Sequence, residues 1–134
     1  MLAAEPLASA VILGECASLK NSRRHVPGRS KAGTAYTLCL PSKKCDDWMR
    51  SARLQLSAAR PLITDPVAML VTCYYASERP DLDESAVMDA LQGRLIENDR
   101  QIREKHVFHA IDRDNPRGEI ELRQIGAWRL VLSA

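Results

Sequence analysis

Between Pro66 and Tyr75 apolar residues occupy both parities: Val67, Met69, Val71, Cys73 and Tyr75 alternate with Ala68, Leu70, Thr72 and Tyr74. A strand written this way is central and buried on both faces, or carries a partner subunit on one. Ala8–Gly14 predicts a first strand, with β-branched residues ahead of a glycine, and Tyr36–Leu40 a short one stopped by Pro41. Ile102–Ile111 alternates as well, with Ile102, His106 and Phe108 on one face and Val107, His109 and Ile111 on the other. Asp112–Gly118 then reads as a turn and Glu119–Arg123 as the hairpin partner of that strand. Helical spacing occurs twice. Ser42 reads as the N-cap of a helix over Lys43–Ala59 that ends at Arg60-Pro61, with Asp46 and Asp47 in its early turns. That helix buries Trp48, Ala52 and either Gln55 or Leu56, leaving Lys43, Lys44, Arg50 and Arg53 outside. Val87, Met88, Leu91 and Leu95 form the stripe of a second helix over Ser85–Ile96, with Gly93 near its end. The order of elements predicts an α+β fold: a small mixed or antiparallel sheet with helices packed on one face.

The 134 residues form one domain with room for a real core, flanked by loose ends at Met1–Leu7 and residues 124–134, the latter holding Trp128. Hydrophobic content of 46% and charged content of 27% are those of a soluble globular chain. No run approaches the ~20 apolar residues of a membrane helix. Met1–Leu13 has no basic segment of the kind that opens a secretory signal. Cys16, Cys39, Cys45 and Cys73 form no CxxC pair, and with His25, His106 and His109 they give no zinc spacing. Reduced thiols in a cytoplasmic protein are the expectation. The formal net charge of +2 says little, but its distribution says more. Residues 1–60 hold ten Lys/Arg against four Asp/Glu, and residues 61–134 hold nine against thirteen. A basic front half can grip phosphate while acidic residues further on hold a metal; a merely solvated surface gives the same split.

The acidic residues centre on Pro80-Asp81-Leu82-Asp83-Glu84 and Glu97-Asn98-Asp99. On a chain still extended after Pro80, Asp81 and Asp83 share a side, and Asp83 can cap the helix that follows, with Glu84 near its positive end. A turn at Glu97–Asp99 can bring a third carboxylate back beside the first two. Three such groups repel unless a cation sits among them, and oxygen ligands suit Mg²⁺ or Mn²⁺. Ordinary capping and turn formation use the same residues. Earlier, Lys20-Asn21-Ser22-Arg23-Arg24 is a basic loop or hairpin, followed by a connector over Pro27–Thr34. Lys20, Arg23 and Arg24 are candidates for phosphate contacts, with Asn21 and Ser22 as hydrogen-bonding partners, against the plainer reading of a solvated loop.

Arg79-Pro80-Asp81-Leu82-Asp83, a helix containing Asp89-Ala90-Leu91, and Asn98-Asp99-Arg100-Gln101-Ile102 together resemble the RusA family of Holliday junction resolvases, over roughly Val11 to Arg123. The resemblance implies a dimeric, magnesium-dependent endodeoxyribonuclease, common in phages and prophages, that cuts four-way DNA junctions in recombination and repair. Asp81, Asp83 and Asp99 fall on the family's catalytic, metal-binding aspartates. Lys20, Asn21, Ser22, Arg23, Arg24, Lys43, Lys44 and Arg79 are the residues expected on the DNA. The chain departs from the family at Glu84, where Asn is common, at Val87, where some members carry a lysine, and at Asn98, where the turn has a carboxylate. Lys20 is one candidate to replace that lysine; Glu84 and Asp89 are supporting residues, and His106 and His109 strand-surface residues. The alternatives are a branched-DNA binder that does not cut, a broader nuclease acting on D-loops, flaps and forks, and an interaction protein with neither property.

Overall fold

The computed structural model describes residues 5–19, 23–57 and 61–126. Its centre is the doubly apolar stretch: β4 (Val67–Tyr75) has a neighbour on each edge. β5 (Ile102–Ile111) pairs with it in parallel, Val67 opposite Ile102 and Tyr75 opposite Ile111. β6 (Arg117–Gln124) pairs with it antiparallel on the other side, and β1 (Ala8–Leu13) completes the mixed sheet in the order β1-β6-β4-β5. The expected β5–β6 hairpin does not form. A strand apolar on both faces needs partners on both edges, so Asp112–Pro116 passes over the end of β4 and sets β6 on its far side. Along this path the Asp112 amide donates to the Tyr75 carbonyl at 2.9 Å. β5 remains an edge strand, which its largely uncovered residues permit.

Both helices lie on one face of this sheet. Cys45, Trp48, Ala52 and Leu56 from α1 (Lys43–Gln55) and its C-cap join Ala86, Val87, Ala90 and Leu91 of α2 (Ser85–Leu91). They bury Val67, Met69, Val71, Cys73 and Tyr75 with Ile12, Ile120 and Leu122. Ser42 caps α1 as its sequence predicts, accepting from the Cys45 amide at 3.1 Å. α1 stops at Gln55 rather than Ala59. Leu56 turns into the core, while the exposed Gln55 side chain brackets Leu13, accepting from its amide at 2.7 Å and donating to its carbonyl at 3.0 Å. α2 stops at Leu91 rather than Ile96 because Gly93 adopts a φ of 77°, which reverses the chain. Leu95 and Ile96 stay in the core through the turn that follows.

β2 (Arg23–Arg29) and β3 (Ala35–Pro41) pair with each other as a separate two-stranded ribbon. Pro27, Gly28 and Arg29, expected in a connector, are strand residues; the turn is confined to residues 30–34. Gly28 is where the Tyr36 ring lies down, since a Cβ there would stand 2.7 Å from it. Pro41 is the last residue of β3 rather than a stop beyond it. On the sheet face away from the helices, Val11, Leu13 and Phe108 are exposed. Among the described residues no helix is long and apolar enough to cross a membrane.

Candidate metal centre and its cleft

β4 delivers the chain to the Asp-Leu-Asp segment, and its last residue holds that segment in place. The Tyr75 phenol donates to the Asp81 carbonyl at 3.3 Å and accepts from the Asp83 amide at 3.4 Å. Burial pushes the phenol's pKa up, so it stays protonated and remains a donor. The Asp83 carboxylate is 3% exposed. Its Oδ2 accepts from Ser18 Oγ at 2.7 Å, and its Oδ1 from the Ser85 amide at 2.9 Å and Ser85 Oγ at 2.6 Å. Asp83 thus holds the first turn of α2 from one residue before the cap position, where Glu84 makes no capping bond. Asp81, two residues earlier, is exposed.

Asp81 opens into a cleft of about 250 Å³ whose other walls are Glu15, Cys16, Ser18, Lys44, Arg79 and Pro80. Three residues expected at the site meet here from two separate stretches of sequence: Arg79 and Asp81 from one, Lys44 from the other. Lys44 Nζ stands 3.6 Å from Glu15 Oε2, and Glu15 Oε1 accepts from the Ala76 amide at 3.0 Å. Cys16 is buried, its Sγ in the space that a side chain at Gly118 would fill. Its hydrogen bond with Cys73, with burial, pushes its thiol up.

Asp99 opens a 3₁₀ turn, Asp99–Gln101, ahead of β5. Asn98 Oδ1 accepts from the Arg100 amide, and Gln101 Oε1 accepts from the amides of Glu97 and Asn98, each at 2.9 Å. Gln101 Nε2 ties the turn to the Ile63 carbonyl at 2.7 Å. The pKa of Asp89 is raised by burial first and by the charge of Asp99 second, with Arg53 opposing. Asp81 and Asp83 follow the C-terminal end of β4 and precede the first turn of α2, whereas Asp99 precedes β5, whose first residue pairs with Val67 at the start of β4, so α2 and the turn after it lie between the two places. Among the described residues, no three His, Cys, Asp or Glu side chains stand together as a metal cage.

Of the residues expected on DNA, Lys20, Asn21 and Ser22 lie outside the described residues, and Arg23 and Arg24 open β2. Lys43 and Lys44 are exposed at the start of α1, and Arg79 is exposed in the turn after β4. No Asp or Glu occurs between Glu15 and Asp46, a stretch with seven Lys/Arg. Val87 is fully buried. Lys105 on β5 reaches Glu84, Nζ to Oε1 at 2.6 Å. His109 stacks on Tyr75 with ring centroids 5.0 Å apart, on the helix-bearing face; His106 points to the other. Sequence reasoning missed Tyr75, Ser18, Ser85 and Glu15 as parts of the site. A serine two residues after Asp83 was a readable turn signal, and Tyr75 sat on the inward parity of β4. Glu15 and Ser18 act from about 65 positions away and carried no signal.

A search of curated proteins finds no match to the chain. The sequence profile of the family described as Endodeoxyribonuclease RusA matches residues 23–123, a span that holds Arg79, Asp81, Asp83, Asp99 and Gln101. The chain belongs to the RusA endodeoxyribonuclease family.

Proposed function

We propose that this chain hydrolyses phosphodiester bonds of four-way junction DNA with Mg²⁺, or Mn²⁺ in its place, held by Asp81 and Asp83. The observation that carries the reading is the cleft in which the Asp81 carboxylate opens beside Arg79 and Lys44. The donor set fits the ion. Mg²⁺ binds through one or two carboxylates, retaining waters and taking substrate phosphate oxygens. Asp83 supplies a carboxylate already oriented by Ser18 and Ser85. Asp99 is the third catalytic ligand by motif order, and in a single chain α2 and the turn after it lie between it and the other two.

When bound, the ion lowers the pKa of a coordinated water and neutralises charge on the phosphate. The chain's own residues do the rest. Ser18, Ser85 and Tyr75 hold the Asp81–Asp83 segment before substrate arrives, so little reorganisation is needed. Arg79 and Lys44 take phosphate oxygens on the cleft's other side. The acid-free stretch through the β2–β3 ribbon, with Lys20, Asn21, Ser22, Arg23 and Arg24 at its start and Lys43 after it, extends the basic surface along the backbone. A homodimer formed through the uncovered sheet face would present two such clefts to the two equivalent strands of a junction. The setting is recombination and repair in the cytoplasm of a bacterium or its phage.

The test is a labelled four-way junction incubated with and without Mg²⁺. Asp81→Asn should abolish cutting while junction binding is kept or tightened, because carboxylate repulsion toward phosphate is removed. Normal cutting by that variant would refute the assignment. Asp99→Asn run beside it decides whether the third aspartate serves the same ion. A junction binder that does not cut is the second reading, favoured by the buried Val87 and by the position of Asp99; it requires binding without Mg²⁺-dependent nicks. D-loops, flaps and forks in the same assay test a broader nuclease.

A further inference from the structure

We infer that Lys44 is a catalytic residue of the cleavage step: its ammonium leaves Glu15 for the scissile phosphate and stabilises the oxygen that gains charge in the transition state. Glu15 is the positioning residue that keeps the ammonium at the cleft. The inference rests on the reading of Asp81 as a metal ligand. Its grounds are geometric. Lys44 and Asp81 line the same cleft, so a phosphate drawn to an ion on Asp81 arrives beside this ammonium. The Lys44 side chain is 71% exposed and its contact with Glu15 is a loose 3.6 Å, a pair easily exchanged for phosphate. Glu15 is fixed by the Ala76 amide through its other oxygen, so the carboxylate stays while the lysine moves.

The location of Lys44 also runs against local stability. It is the second residue of α1, at the positive end of the helix dipole, where an acidic side chain is favourable and a basic one is not. Breaks with a local rule of this kind are expected where a residue serves function. Among the described residues, the other cations are less well placed. Lys105 is held by Glu84 at 2.6 Å and does not line the cleft. Arg79 stands on an irregular turn, whereas Lys44 stands on a helix whose cap is made by Ser42. Loss of one donor to the developing charge costs about 10²–10³ in rate.

The experiment measures single-turnover junction cutting at saturating protein in Mg²⁺, junction affinity in Ca²⁺, and melting temperature. The variants are Lys44→Met, Lys44→Arg, Glu15→Gln, the Lys44→Met/Glu15→Gln double, and Asp81→Asn as reference. Lys44→Met should slow cutting at saturation about 100-fold or more, with affinity changed only a few-fold and no fall in melting temperature. Lys44→Arg should recover most of the rate. Glu15→Gln should slow cutting in the wild-type background and add nothing to Lys44→Met. Unslowed cutting by Lys44→Met at saturation, with weaker affinity, reduces the residue to phosphate grip and overturns the inference. Wild type that cuts and Asp81→Asn that does not, beside an unslowed Lys44→Met, overturns it alone. Wild-type protein that makes no Mg²⁺-dependent nick overturns the proposed function and this inference together.

Discussion

A single phenol clips the backbone of the segment that carries the two aspartates. Tyr75 accepts from the Asp83 amide and donates to the Asp81 carbonyl, so the segment between them cannot twist without breaking one bond or the other. Tyr75→Phe keeps the buried ring and removes both contacts. It should cost about 1–1.5 kcal/mol in urea unfolding and slow Mg²⁺-dependent cutting more than it weakens junction binding. Unchanged cutting would show that the clip is dispensable. A second residue-scale device lies at the β5–β6 turn. Arg117 Nη1 reaches Asp112 Oδ2 at 2.8 Å while its guanidinium covers the Tyr74 ring, and the hydrogen bond from Arg117 holds the Asp112 carboxyl below the usual carboxylate range. A depressed folded pKa contributes stability above the unfolded value of about 3.9, and the contribution is lost as pH falls through the lower folded value. Asp112→Asn should therefore lower the melting temperature at pH 7 and converge with wild type near pH 2. An equal deficit at both pH values would count against the pairing.

Elements explain why Val87 is apolar, at the position where the resemblance to the family implies a lysine in some members. Val87 points into the core between α2 and the sheet, fully buried. Val87→Lys would place an unpaired ammonium there, at a cost of several kcal/mol against a typical total of about 5–15 kcal/mol. The variant should lose most of its thermal unfolding transition rather than gain activity. A folded Val87→Lys that cuts faster than wild type would reverse this account. The same elements separate what was legible in the sequence from what was not. β4 was readable because apolar residues filled both parities, and the start of α1 because Ser42 stands before a helical period. The end of α2 was misread because Leu95 and Ile96 continue the apolar stripe while Gly93 breaks the backbone beneath them. β6 was placed beside the wrong neighbour because alternation reports which face is buried and is silent about the strand next door. Asp81 and Asp83 were readable as a local pair, whereas Ser18 and Glu15 reach them through the fold alone.

At the scale of the molecule, the sheet is clad on one side only. Val11, Leu13 and Phe108 are exposed on the opposite face, flanked by Glu119 and Glu121. If two copies meet there, Phe108→Asp should shift the sedimentation coefficient to that of a monomer with little change in melting behaviour at low concentration. It should also turn paired cuts on a junction into unpaired nicks. A dimer that survives Phe108→Asp would move the interface elsewhere. The position of β6 has a further consequence, in time rather than space. Protein chains emerge from the ribosome with their N-terminal portions first. Until residues 117–124 are made, β1 has no strand to lie against, and Ser18, which follows it, has no strand-anchored place beside Asp83. The proposed site therefore comes together late in synthesis, and a product cut short at β5 lacks the strand on which β1 and, through it, Ser18 are set.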